Sequence, residues 1–147
     1  MLPSFIWSAA LLFPLAWGLK YTDCGSKTGK IVSVKMTGCE DEDICELKRG
    51  ETYNYEVKFE SLTASKRLRA VLNGIINGVA MPFPLPNANA CEHSDIECPI
   101  KNGESYTYSY DIEVRDNYPT LRADVKWQLK DDKNKDVVCV LLPVKVV

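Results

Sequence analysis

The residues of this chain that could do chemistry are six cysteines, one histidine and a short acidic run. The cysteines are Cys24, Cys39, Cys45, Cys91, Cys98 and Cys139. A cysteine serves as metal ligand, nucleophile or disulfide partner, and its neighbours decide which. No C-x-x-C pair occurs and His93 is the only histidine, so a tetrahedral zinc site lacks its ligand set. The same histidine is the only base a serine or cysteine triad could use. It follows Cys91 by two residues and reads as a solvated loop residue. The run Glu40-Asp41-Glu42-Asp43 lacks the ligand spacing of an EF-hand loop and reads as a solvated acidic loop. No glycine-rich phosphate loop precedes a helix, and no Asn-x-Ser/Thr acceptor occurs. The expectation is a protein that is not an enzyme and uses no cofactor or metal.

The remaining use of six cysteines is three disulfides, which requires an oxidising compartment. Residues 1–18 carry no charged side chain, and the apolar run 6–15 is interrupted only by Ser8 and Pro14. Ala16-Trp17-Gly18 puts small residues where a signal peptidase reads. This is the pattern of a secretory signal peptide, and it is too short to span a bilayer. All six cysteines follow it. Six cysteines permit fifteen pairings, and spacing alone does not choose among them. Two close pairs suggest themselves, Cys39 with Cys45 and Cys91 with Cys98, which leaves Cys24 with Cys139. By loop entropy the long closure would be worth about 5 kcal/mol and each short one about 2 kcal/mol.

The 147 residues less a signal peptide leave one domain over residues 19–147. Lysine plus arginine number 18 and aspartate plus glutamate 20, a balance that argues against a nucleic-acid partner. Period-two alternation recurs along the chain. Val32, Val34 and Met36 form one face, as do Tyr53, Tyr55, Val57 and Phe59. Leu68, Ala70 and Leu72 repeat the pattern, and so do Tyr106, Tyr108, Tyr110, Ile112 and Val114. Leu121, Ala123, Val125, Trp127 and Leu129 make a fifth set. Each alternation suits a half-buried strand. Residues 137–147 are apolar on both sides and predict a central or well-covered strand. Lys48-Arg49-Gly50-Glu51, Lys101-Asn102-Gly103-Glu104 and Asp131-Asp132-Lys133-Asn134 supply turns between strands. No amphipathic helix of ordinary length is evident, so the pattern predicts an antiparallel sandwich or barrel.

One segment breaks the alternation. Val79-Ala80-Met81-Pro82-Phe83-Pro84-Leu85-Pro86 is apolar throughout with prolines at every second position of its second half. Proline cannot donate to a ladder, so the segment reads as a stiff, extended apolar loop. Leaving Phe83 in water would forgo roughly 1.5–3 kcal/mol, so the core, a ligand or another surface must cover it.

Several motifs run in order over nearly the whole of residues 19–147. They are Asp23-Cys24-Gly25-Ser26, Cys45-Glu46-Leu47 with Arg49-Gly50, and Gly78-Val79-Ala80-Met81-Pro82-Phe83-Pro84. Then follow Cys98-Pro99-Ile100, Tyr118-Pro119, Trp127-Gln128-Leu129 leading to Asp131-Asp132-Lys133-Asn134, and Cys139 with Leu142-Pro143-Val144. This set resembles the ML-domain lipid-recognition family, in its Niemann-Pick type C2 branch. The resemblance implies an immunoglobulin-like β-sandwich of two antiparallel sheets with an inter-sheet lipid cavity. It implies the pairs Cys24–Cys139, Cys39–Cys45 and Cys91–Cys98. It also implies a sterol or other hydrophobic lipid held between the sheets, with Phe83, Val114 and Tyr118 around the entrance. Strand parity together with the resemblance adds Met36, Tyr53, Tyr55, Val125 and Trp127 to the ligand wall.

The implied function is a secreted, monomeric lipid carrier that meets a membrane or a membrane receptor transiently, in extracellular fluid or the lysosomal lumen. Three departures are visible: Asn87-Ala88-Asn89-Ala90 precedes Cys91 where the sterol-transferring branch typically has an acidic residue, Glu92 follows Cys91 where that branch often has a lysine, and Glu113 rather than a proline precedes Val114. The lost cation weakens docking on acidic lipid. The alternatives are carriage of fatty acids or semiochemicals, and recognition of microbial glycolipid through a basic rim for which Lys66, Arg67 and Arg69 are candidates.

Overall fold

A computed structural model describes residues 19–147 apart from Asp41 and His93. The expected signal peptide, the lone histidine and one member of the acidic run therefore lie outside the described residues.

Among the described residues there are nine strands and no helix. They are β1 (Thr22–Asp23), β2 (Gly29–Met36), β3 (Cys45–Leu47), β4 (Thr52–Ser61), β5 (Arg69–Ile76), β6 (Val79–Pro82), β7 (Ser105–Glu113), β8 (Leu121–Lys130) and β9 (Asp136–Val146). One sheet runs β1-β9-β8-β5-β6, with β3 also on β9, and the other runs β2-β4-β7. All pairs are antiparallel except β3 with β9. The two sheets face each other as a sandwich, and their inner faces supply the core: Tyr55, Val57 and Phe59 from β4, Tyr108 from β7, Leu72 from β5, Trp127 and Leu129 from β8. Strand β9 is the best-covered element. Val137, Val138, Cys139 and Val140 are all buried, as a run apolar on both sides requires.

Two elements depart from the sequence reading. In β2 the register slips between Ile31 and Ser33, a bulge that adds one residue against β4. Parity reverses there. Val34 and Met36 stay inside, Ile31 packs against the core, and Val32 turns out to water. The first half of the proline-rich segment is a strand rather than a loop. Residues Val79–Pro82 form β6, paired with β5 through the two-residue turn Asn77-Gly78. Both turn residues have positive φ, 51° and 80°, as a type I′ hairpin demands. Asn-Gly between apolar runs was the signal for it. Pro82 is tolerated because β6 is an edge strand with no neighbour awaiting its missing N–H. The stiff loop begins at Phe83, whose N–H donates to the Leu72 carbonyl at 2.9 Å.

Three disulfides close the fold: Cys24–Cys139, Cys39–Cys45 and Cys91–Cys98. They span 115, 6 and 7 residues of sequence, so chain entropy makes the first worth about twice either of the others. It ties β1 to the centre of β9. The Cys91–Cys98 loop covers the open edge of β7, where the Ser94 hydroxyl accepts from the Ser109 N–H and donates to its carbonyl. Replacing Cys24 and Cys139 together by serine is expected to cost about 4–5 kcal/mol, against about 2 kcal/mol for the Cys39/Cys45 pair. Urea titration followed by tryptophan fluorescence measures both.

Candidate functional site

Along β8 the inward side chains read Leu129, Trp127, Val125, Ala123, Leu121, and along β5 they read Ala70, Leu72, Gly74, Ile76. The large rings stand at one end and small aliphatic groups at the other. At the large end the sandwich is full. Trp127 lies flat on Tyr55 with ring centroids 4.4 Å apart, and Tyr108 and Tyr110 stand edge-on or tilted against the indole at 5.9 Å. At the small end the side chains do not bridge the sheets, and a cavity of about 320 Å³ remains. This lies at the lower end of small-molecule sites, which run from about 300 to 1,000 Å³.

The cavity wall is built by alternate residues of both sheets. Leu142, Val144 and Val146 come from β9, Val125 and Ala123 from β8, Gly74 and Ile76 from β5, Met36 from β2 and Ile112 from β7. Asn73 and Tyr118 supply the only polar side chains among the lining residues. The six-stranded sheet is wider than its three-stranded partner, so the inner face of β6 has no strand opposite it. Val79 and Met81 are consequently more than half exposed although they stand on the cavity side. The opening is there. Phe83 meets Tyr118 edge to face, centroids 5.8 Å apart at 90°. Tyr118 is set by a tight turn in which its N–H donates to the Arg115 carbonyl. Beyond this ring pair lies an outer groove of about 450 Å³ along Pro84, Leu85 and Pro86, which shares Leu72, Phe83, Ile112 and Tyr118 with the inner cavity. The two rings thus belong to the lining of both spaces.

Five of the eight wall and entrance residues expected from sequence are brought together here: Met36, Phe83, Val114, Tyr118 and Val125. Three are not. Tyr55 and Trp127 belong to the packed end, and the Tyr53 hydroxyl instead accepts from the Lys48 N–H at 2.9 Å, fixing the turn before β4. Parity identifies the face of a strand but not how far along it the cavity lies. The β9 residues were missed because their strand is apolar on both sides, and Gly74 because it has no side chain to read. The basic candidates are also elsewhere. Arg69 opens β5 beside Lys130, and its guanidinium donates to Asn134. At about 3.3 Å per residue it stands roughly 20 Å along the strand from the mouth. Lys66 and Arg67 precede it, so the three do not form a rim.

The packed end carries a cost. Tyr55 Oη, Tyr108 Oη and Trp127 Nε1 are buried with no hydrogen-bond partner among the described residues. Burial pushes both tyrosine hydroxyls well above their ordinary pKa, and the charge of neighbouring tyrosines adds to it. A raised tyrosine pKa means the unfolded state ionises first, so stability is lost as pH rises past about 10. Tyr55→Phe and Tyr108→Phe are each expected to leave stability unchanged or raise it by up to about 1 kcal/mol, because only an unpaired hydroxyl is removed. Each should also soften the alkaline loss, measured by thermal melts from neutral to alkaline pH.

Comparison with known proteins agrees with this architecture. The ML domain matches residues 18–146. The chain is 37% identical over 147 residues to "NPC intracellular cholesterol transporter 2 homolog a" of Drosophila melanogaster, covering 99% of each chain. It is 37% identical to "NPC intracellular cholesterol transporter 2" of Bos taurus, covering 97% of this chain and 95% of that one. Among solved structures, a Niemann-Pick type C2 protein from the Japanese carpenter ant superposes with a TM-score of 0.84 at 26% identity, over 88% of this chain and 100% of that one.

Proposed function

Because the chain belongs to the ML-domain family, we propose that it is a secreted carrier that holds a sterol or similar lipid between its sheets and releases it without covalent chemistry. The observation that carries this reading is the apolar cavity of about 320 Å³ with its mouth at Phe83 and Tyr118. Each 100 Å² of apolar ligand surface taken from water contributes about 2.5 kcal/mol, so affinity follows from burial alone. The filled aromatic end keeps the sheets from closing on an empty cavity. The proline-rich loop is already extended, so ordering it around a ligand costs little entropy. A ligand longer than the inner cavity extends past the ring pair into the outer groove.

Release needs a second apolar surface. Val79, Met81 and Phe83 form an exposed apolar rim at the mouth, suited to transient contact with a bilayer interface or a membrane receptor. In this reading the protein works as a monomer, in extracellular fluid or the lysosomal lumen, and its partner is the lipid itself.

Native mass spectrometry of the purified protein should show co-purified lipid or stoichiometric uptake of added cholesterol. A folded protein that takes up neither sterol nor fatty acid would refute carriage. Phe83→Ala removes one half of the ring pair and is expected to weaken sterol affinity about tenfold, for a loss of about 1–2 kcal/mol of apolar contact. A fluorescent-sterol titration measures this. Val79→Asp lies outside the cavity wall. It should leave that affinity unchanged and slow sterol transfer between neutral phosphatidylcholine vesicles severalfold, as followed by energy-transfer dequenching.

A further inference from the structure

Six of the seven described glycines have a local reason to be glycine. Five have positive φ. At Gly29 an added Cβ would run into the Val137 carbonyl and side chain. Gly74 has neither reason. Its φ lies outside the left-handed region, and a Cβ built on it meets nothing within 4 Å. It sits in the middle of β5 in unbroken register, opposite Val125 of β8 on one side and Met81 of β6 on the other. A glycine in a strand interior gives up both packing and backbone entropy, so its usual explanation is a bulge, a bend or something lying close against the backbone. No bulge occurs in β5, and the open space beside Gly74 is the cavity.

We infer that Gly74 is the specificity-determining position of the cavity: its missing side chain leaves a trough in the sheet, walled by Val125 and Met81, that seats the flat face of a fused-ring lipid. Ala123, one step along β8 on the same face, continues the low ground, whereas Ile76 and Leu72 rise on either side along β5. A rigid ring system cannot bend round a side chain placed in that trough. A flexible acyl chain can. Glycine at this position therefore admits the rigid ligand, and any branched residue there selects against it. The inference rests on the carrier reading above and goes further by naming the shape of the ligand and the residue that chooses it.

The test compares wild type, Gly74→Ala and Gly74→Val in binding of a fluorescent sterol and of a fluorescent fatty acid. One or more methyl groups placed in a fitted apolar site cost roughly 10- to 200-fold, so Gly74→Val should lose sterol affinity by about tenfold or more while fatty-acid affinity changes by less than about threefold. Gly74→Ala should show the same contrast at smaller scale, and it carries the test if the valine variant does not fold. Because the added Cβ meets open space, the lipid-free alanine variant should melt roughly 2–4 °C higher than wild type. A gain in stability with a loss of sterol binding is the signature of a position kept empty for a ligand. Sterol affinity unchanged in Gly74→Val, or sterol and fatty acid lost alike, would overturn the inference while leaving carriage intact. Wild type that binds fatty acid but no sterol would also overturn it. Wild type that binds neither lipid would overturn carriage itself.

Discussion

Trp127 lying flat on Tyr55, one ring from each sheet, sets the spacing on which the whole molecule depends. Two sheets pack about 10 Å apart when their inner side chains interdigitate. Here the stacked rings, with Tyr108 and Tyr110 around them, hold that separation from one end. The far end is lined by smaller side chains that cannot span it. A uniformly filled interior would have closed there. The wedge makes the cavity a product of packing elsewhere, and it does so through the rings of Tyr55 and Tyr108, whose buried hydroxyls find no partner among the described residues.

The second constraint is the mismatch in sheet width. Three strands cannot cover the inner face of a sheet that runs from β1 to β6, so one margin of the wider sheet overhangs. The overhanging strand is β6, and its exposed Val79 and Met81 would be a liability in a protein with no use for an apolar rim. Pro82 and the short hairpin limit the danger, because an edge strand of four residues with a missing N–H makes a poor template for further pairing. The same features leave Val79 and Met81 exposed at the mouth. The disulfide from Cys24 to Cys139 anchors the opposite edge of the wide sheet at β1 and β9.

Three parts of the interior differ in kind: the Phe83–Tyr118 ring pair at the mouth, the low ground at Gly74 between Val125 and Met81, and the packed aromatic end.

Much of this was legible in the residues. Period-two alternation assigns faces because successive side chains leave a strand on opposite sides, so Tyr55 and Val57, and likewise Trp127 and Leu129, share one apolar face of their strand from the sequence alone. Turn chemistry at Gly50, Gly103 and Asn134 delimits strands for an equally local reason, and each has positive φ. What alternation cannot carry is position along the strand relative to the other sheet. Tyr53, Tyr55 and Trp127 are the cross-strand partners of Ile112, Met36 and Leu72, which line the cavity, yet they do not line it themselves. Nor could alternation foresee the bulge that turns Val32 outward, or the edge position that lets Pro82 sit in a strand. Faces, turns and the all-β class are legible in the chain because they depend on near neighbours along it. Where the space lies, and that Gly74 opens onto it, depends on how far one sheet reaches across the other, which no local pattern encodes.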